Sequence, residues 1–378
     1  MNKKYYIGLQ LLGVDNITII KIMENLDIED LKSLFKGNLL QIEFKYNIHF
    51  DKNKSKFEDL DYLKNILNRS EYILNKNKEF KIRTILYNNK YYPKRLKDIE
   101  NPPAILYLKG RNITKKDEKS LACIGTRKPT QLAVSTTKSI VKNLSDEKFT
   151  IISGLADGID TISHETSLDN NGRTIAVLAH GLDIIYPNKN HELANRILAN
   201  GGTLISEYPI GSRIEKYKFV HRNRIVSALS NGILMVEAKI QSGTKHTIDF
   251  AIQQNKKIFT PVFNKFSSES ELNIELLKSN KAIPIKGDND YIRIPYTLNY
   301  RPVKDKNLFN NLKTYEINKV LSNINLGLNS LCVENLDIKK SFATNKNDYE
   351  KLKKILKSKN ISVTEFFNSI IQGTIKNN

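Results

Sequence analysis

The sequence predicts an α/β fold organised around a parallel sheet. Three observations carry that reading. Six apolar segments recur between residues 122 and 263: ACIGTR (122–127), TIISGLADGID (150–160), TIAVLAHGLD (174–183), TLISEYP (203–209), ILMVEA (233–238) and KIFTPVF (257–263). Their cores are continuously apolar rather than alternating, as expected of strands covered on both faces. Each runs into a loop rich in Gly or polar residues and then into a helical stretch, the rhythm of a strand–helix–strand crossover. In such sheets ligands bind beyond the carboxyl ends of the strands, where helix N-termini converge.

Residues 1–84 precede this core and read as a small helical domain. Leu9, Leu11, Leu12, Ile17, Ile19, Ile20, Ile22 and Met23 surround LLGVDN (11–16), where Gly13 and Asn16 interrupt one helix and Asp15 or Asn16 caps the next. Gly37-Asn38 marks a second stop. Short helices joined by Gly-containing turns fit a helix-hairpin-helix or SAM-like bundle. Such a bundle either clamps backbone phosphates through its turn amides or serves packing and dimerisation; the turn lacks G-x-G, which favours the second use.

The connector YYPKRLKDIENPPAILYLKG (91–110) holds Pro93, Pro102 and Pro103, which forbid a long helix. Its ILYL reads as a short strand entering the sheet. The sheet domain spans 85–300. The tail, 301–378, is helical by pattern, with a winged-helix-like module as one option; its lysines fall on several faces, as on a solvated surface.

Formal net charge is +20 over 378 residues, which puts nucleic acid, an anionic membrane surface or a nucleotide first among partners. Lys, Asn and Ile are over-used together throughout, so arginines at loop ends are more informative than total charge. Cys123 and Cys332 are far apart, without His or Cys at metal-ligand spacing, so no metal site is expected. The N-terminus lacks the apolar stretch of a signal peptide, and no run of about 18 apolar residues exists. A cytoplasmic protein without membrane contact is expected.

Several loop motifs offer polyanion chemistry. GTRKPT (125–130) projects Arg127 from a strand end, with Pro129 available to start the following helix. SGLADGID (153–160) supplies Ser153 and the amides around Gly154 and Gly158, with Asp160 opening the next helix. Lys189 follows a Tyr-Pro turn and can serve as a point charge on phosphate. In HRNR (221–224), Arg222 and Arg224 flank Asn223 and point to different sides of a helix, one inward and one to the cleft. Ser242, Gly243 and Thr244 sit at a helix start, as donors or simply as a cap. The alternative for Arg127 is an ion pair with Asp157 or Asp160.

Catalytic chemistry is poorly supported. The histidines are scattered, without a nucleophile elbow. Glu207 and Glu237 read as ion-pair partners of the arginines before they read as an acid/base pair. G-x-G-x-x-G is absent, so no dinucleotide cofactor is expected, and there is no Walker A sequence.

In this order the motifs resemble the DNA-processing protein A (DprA, also Smf) family. The matching pieces are YP-x-x-L (92–96), PP-x-x-LY-x-x-G (102–110), GTR (125–127), SGLADGID (153–160) with His164, and GRTIAVLAHGLDIIYP (172–187). GGTLISEYP (201–209), Phe219 with RNRIVSALS (222–230), VEA (236–238) and SGT (242–244) complete the match over about 90–285. The resemblance implies an extended Rossmann-like domain that binds single-stranded DNA, hands it to the recombinase RecA during natural transformation, works as a homodimer and carries out no turnover. It implies DNA contacts at Arg127, Ser153, Gly154, Lys189, Arg222, Asn223 and Arg224; the helix-start residues Ser242, Gly243 and Thr244 are expected to add amide and hydroxyl donors to the same site. Lys245-His246-Thr247 after SGT departs from the family's Leu-Ile-Thr. The alternative function is a nucleotide-binding or nucleoside-monophosphate-hydrolysing enzyme on a related fold, whose P-G-G-x-G-T-x-x-E signature is missing.

Overall fold

The sheet expected from the apolar segments is present and larger than the sequence suggests. A computed structural model describes residues 2–50, 52–263 and 267–300. The described residues form one compact unit. The expectations for the tail, including its winged-helix option and Cys332, lie outside the described residues.

Nine strands run β1 (Ile82–Leu86), β2 (Ile105–Gly110), β3 (Ser120–Ile124), β4 (Thr150–Ser153), β5 (Thr174–Leu178), β6 (Thr203–Ser206), β7 (Gly232–Met235), β8 (Lys257–Pro261) and β9 (Ile283–Ile285). Their order in the sheet is β1-β2-β6-β5-β4-β3-β7-β8-β9. Strands β3 to β9 are parallel, in register as Ala122↔Ile152, Ile152↔Ile175 and Cys123↔Leu234. β1 and β2 add an antiparallel margin beside β6. The connector strand ILYL is therefore β2. β1 was not expected, and the boundary placed at 84 falls inside it.

The chain winds from β3 outward to β6, then returns to the other side of β3 with β7. That reversal creates a switch point between β3 and β7, where loops diverge and leave a crevice. Helices α7 (Gln131–Asp146), α8 (Ile159–Asp169), α9 (His191–Ala199), α10 (Lys216–Leu229) and α11 (Gly243–Gln253) follow β3, β4, β5, β6 and β7 respectively.

The N-terminal helices form as their caps and stripes dictate. α1 (Lys3–Leu12) ends at Gly13, whose φ of 82° is the left-handed stop that glycine favours. α2 (Asn16–Asn25) begins at Asp15, which accepts a hydrogen bond from the Thr18 amide. α3 (Ile28–Leu34) and α4 (Leu39–Tyr46) lie on either side of Gly37-Asn38, and α5 (Lys54–Glu58) leads into the long α6 (Leu60–Glu79). α6 buries Leu63, Ile66, Ser70, Ile73 and Asn77, a single stripe at helical spacing.

Two apolar cores cover the sheet faces. One joins the N-terminal helices to α8, α9 and strand residues such as Tyr107, Ala176 and Leu204. The other packs α10 and α11 on Ile124, Ile152, Val177 and Ile233. Polar contacts also tie α1 to the sheet: Tyr107 Oη donates to Gln10 Oε1 at 2.9 Å, and Gln10 Nε2 donates to the Glu207 carbonyl at 2.8 Å. The helical segment thus braces the loop after β6, one of the loops at the ligand edge.

Candidate nucleic-acid interface

The parallel strands bring the loops after β3, β4, β5, β6 and β7 to one edge; most predicted site residues lie in these loops or at the start of α11, Ser153 ends β4, and Arg222, Asn223 and Arg224 lie in the middle of α10. Their side chains do different work. Arg127 is exposed and has no ion-pair partner among the described residues; neither Asp157 nor Asp160 takes it. Its neighbour Lys128 is also exposed. Pro129 precedes the helix rather than starting it: α7 is capped by Thr130, whose hydroxyl accepts from the Ala133 amide.

The Ser153–Gly154 loop is closed by the protein itself. Ser153 is fully buried and its hydroxyl donates to the Cys123 carbonyl at 2.6 Å. The amides of Gly154 and Ala156 donate to Asp160 Oδ2 at 3.0 and 3.3 Å. An internal carboxylate therefore occupies the amide pair that the sequence reading reserved for phosphate. Burial raises the Asp160 pKa, and the nearby Arg222 charge opposes that shift. Gly158 is required by geometry: its φ is +76°, and a Cβ there would lie 2.3 Å from the Thr126 carbonyl. This close approach holds the Arg127 backbone against the β4 loop.

The two arginines of α10 separate as helical spacing demands, but both are buried. Arg224 turns inward, its Nη2 2.5 Å from Glu207 Oε2, with the two side chains only 4% and 7% exposed. His221 Nδ1 lies 3.0 Å from Glu207 Oε1. Burial pushes the Glu207 carboxyl up, but the His221 hydrogen bond and the Arg224 charge outweigh it and leave its pKa lowered. Arg224 is thus positioned as a brace between α10 and β6, not as a contact at the surface. Arg222 reaches the strand ends, donating through Nη1 to the carbonyls of Gly154, at 2.8 Å, and Val177. Burial lowers its pKa to about 10, still charged at neutral pH.

Asn223 joins α10 to α11: its Oδ1 accepts from Arg222 Nε at 3.2 Å and its Nδ2 donates to the Gly243 carbonyl at 3.4 Å. Ser242 caps α11 by position, while its hydroxyl donates to the Lys239 carbonyl. The Thr244 hydroxyl donates to the Gly125 carbonyl at 3.1 Å across the switch point. Gly243 stays exposed. Lys189 is 67% exposed and pairs with Asp157 at 3.1 Å, an exposed ion pair of the kind that contributes little.

Glu237 pairs with no arginine among the described residues, contrary to expectation. It is buried and accepts from the Thr130 amide and hydroxyl at 2.8 and 3.0 Å, clamping the Arg127 loop to β7. His164 and His180 are also buried beside the site. Burial, with the Arg222 charge, lowers His164 to about 3, and burial lowers His180 as well. No three His, Cys, Asp or Glu side chains among the described residues come together as a metal site.

Sequence reasoning missed part of the edge. Arg213, in the loop after β6, is exposed, and so is Lys216 at the start of α10. Tyr186 is exposed and packs edge-on against Phe219, with ring centroids 5.7 Å apart; Tyr217 is exposed nearby in sequence. The signal was present as aromatic and cationic residues interleaved over IIYPNK (184–189) and SRIEKYKF (212–219).

The sequence model of the DNA recombination-mediator protein A family matches residues 83–294, more than half the chain and the whole sheet from Arg83 onward. The chain belongs to this family.

Protein Smf of Synechocystis is 42% identical over 172 residues, 45% of this chain and 43% of that protein. DNA processing protein DprA of Bacillus subtilis is 36% identical over 203 residues, 53% of this chain and 68% of its own length. The similarity thus spans less than half of the first of these relatives. The X-ray structure of DprA from Streptococcus pneumoniae covers 77% of this chain and 97% of its own, at TM-score 0.59 and 26% identity. A structure of DprA from Helicobacter pylori, described for its single-stranded DNA binding mode, covers 59% and 98% at TM-score 0.53 and 31% identity. The family match begins within β1 and ends within the short helix Arg293–Thr297, so α1 to α6 lie outside it.

Proposed function

We infer that the protein binds single-stranded DNA along the carboxyl edge of its sheet, without sequence readout or turnover. The single observation that carries this reading is that the loops after β3, β5 and β6 carry exposed cations, Arg127, Lys128, Lys189 and Arg213, and that the exposed rings of Tyr186 and Tyr217 lie in the β5 loop and the first turn of α10. Cations tracking a backbone, with aromatic faces for splayed bases, are the parts that sequence-tolerant single-strand binding needs. The H. pylori relative's single-stranded DNA binding supports the same reading.

The division of labour differs from a phosphate-cradling loop. The amides of Gly154 and Ala156 serve Asp160, so phosphates are held by side chains that project over the loop. Arg222 sets the shape and potential beneath them, and Arg224, Glu207 and Glu237 hold the supporting loops. Thr244 and Asn223 fix α11 against the Gly125 turn. The buried carboxylates are all engaged by neighbours, which favours binding over nucleotide hydrolysis.

The wider role is recombination mediation: protection of incoming strands and delivery to the RecA recombinase in the cytoplasm, by a homodimer. A strand assay tests it. Wild-type protein shortens the lag of RecA assembly on oligonucleotides coated with single-strand-binding protein. The folded Arg127→Ala/Lys128→Ala variant does not. An equal effect of both proteins would show that this edge is not the delivery site.

A further inference from the structure

A groove of about 1130 Å³ lies away from the strand-end site, along the outer edge of β1. It is walled by the start of α1, by α3 and by the last turns of α6. Four consecutive residues of β1, Ile82 to Ile85, line it. Consecutive residues point to opposite faces of a sheet, so only a groove that follows the strand's free edge can touch all four. β1 is the last strand of the sheet, with β2 as its neighbour.

The free backbone groups can be assigned by parity. The Tyr87 amide donates to the Ala104 carbonyl, toward β2, so Arg83 and Ile85 face β2 as well. Ile82 and Thr84 then face the groove, and the Thr84 carbonyl does accept from Lys3 Nζ at 2.7 Å on that side. A lysine capping one carbonyl is a familiar way to blunt a sheet edge without filling it. Beside that edge, Asn77 is 2% exposed and donates to Thr84 Oγ1 at 3.2 Å, while its Oδ1 has no hydrogen-bond partner among the described residues.

Charge completes the pattern. Lys3, Lys4, Lys32, Lys78 and Arg83 line the groove against one acid, Glu71. Lys32 is paired with Glu29. The other four cations have no ion-pair partner among the described residues, though Arg83 Nη2 donates to the Gly110 carbonyl of β2 at 2.6 Å, and burial lowers the pKa of Lys3.

We propose that this groove binds an extended acidic peptide of a partner protein, which adds as a strand to the free edge of β1. The peptide backbone supplies N–H donors to the Ile82 and Thr84 carbonyls, and accepts from the Ile82 and Thr84 amides. Its carboxylates meet Lys78, Arg83 and Lys4, and draw Lys3 off the Thr84 carbonyl. A nucleic-acid strand matches the charge but has no regular backbone donors for a strand edge, which is why the peptide is favoured. The site is independent of the strand-end DNA reading.

The test uses the full chain and a fluorescein-labelled peptide of alternating Glu and Thr, followed by anisotropy. The expected result is affinity about tenfold or more above that of the Lys/Thr counterpart. A similar loss is expected when every backbone nitrogen of the Glu/Thr peptide is methylated, and again with Lys78→Glu/Arg83→Glu. Oligothymidylate binding by that variant stays unchanged. If the double variant does not fold, Lys78→Glu alone, at an exposed position, is read for a loss of about threefold or more. Equal binding of the methylated peptide, or peptide binding unaffected by the variant, overturns the proposal. So does a variant that loses oligothymidylate instead of peptide, which would make the groove a nucleic-acid track.

Discussion

Gly154 and Arg222 are fitted to each other. A Cβ at position 154 would lie 2.5 Å from Arg222 Nη2 and 2.7 Å from Cζ, so the absence of a side chain on the β4 loop is what admits the guanidinium to the strand ends. The carbonyl of the same glycine then accepts from Arg222 Nη1. A loop that reads in sequence as a phosphate cradle is, in the fold, the seat of a buried arginine.

Gly154→Ala should therefore displace Arg222. The methyl group has no room against a guanidinium that is itself hydrogen-bonded, and such overpacking costs about 1–3 kcal/mol. Denaturant unfolding should show a loss in that range, with weaker oligonucleotide binding in the folded protein. Wild-type stability in this variant would mean that the arginine has another seat.

Glu207→Gln should be more damaging than Glu237→Gln. The first leaves the Arg224 charge buried without its counter-ion, a change of about 3–5 kcal/mol. The second keeps an oxygen to accept from Thr130 and disturbs hydrogen bonds only, at about 1 kcal/mol. Melting temperatures of the two variants measured side by side check the order. Equal melting temperatures would show that Glu207 and Arg224 do not depend on each other.

Stability should fall on acidification before the carboxylates titrate. His164 is held neutral, with its folded pKa lowered from 6.5 to about 3. Below 6.5 the unfolded chain takes up a proton that the folded chain refuses, so stability is lost as pH falls from 6.5 toward 3. One such group gives a slope approaching about 1.4 kcal/mol per pH unit, and His180 acts in the same direction. Glu207, whose folded pKa is lowered from 4.5, adds stability above that value that is lost at lower pH. Replacing His164 with Gln should flatten the curve between pH 6.5 and 5. An unchanged slope would assign the acid sensitivity to other groups.

Much of the architecture was legible because it is local. The Asp15 cap, the Gly13 stop and the strand–loop–helix rhythm from Ala122 onward depend on residues within a few positions of one another. β1 was missed because IRTIL is short, follows directly on the charged end of α6 and finds its partner, β2, about 20 residues later in the chain. The roles of the polar residues were harder to read, for a physical reason. Arg222 and Arg224 differ by two positions on one helix, and the sequence shows that they diverge but not what each meets. Asp160 reads as a helix-start acid, yet its partners are the amides of Gly154 and Ala156, chosen by the closure of the loop. Arg127 and Lys189 could be placed in loops beyond the strands from sequence alone because a cation in a strand-end loop needs no tertiary detail to be noticed.

The central claim, that the strand-end edge holds single-stranded DNA through exposed cations, is tested most directly by oligothymidylate titration over a salt series, in parallel with the same length of duplex. About four phosphate contacts on a single strand give a logarithmic salt slope near −3, or roughly a fiftyfold loss of affinity between 50 and 200 mM salt. The account predicts that slope, preference for the single strand, and a loss of about tenfold or more in Arg127→Ala/Lys128→Ala with a correspondingly shallower slope. Tighter binding to duplex, or a folded double variant with wild-type affinity and slope, would contradict it.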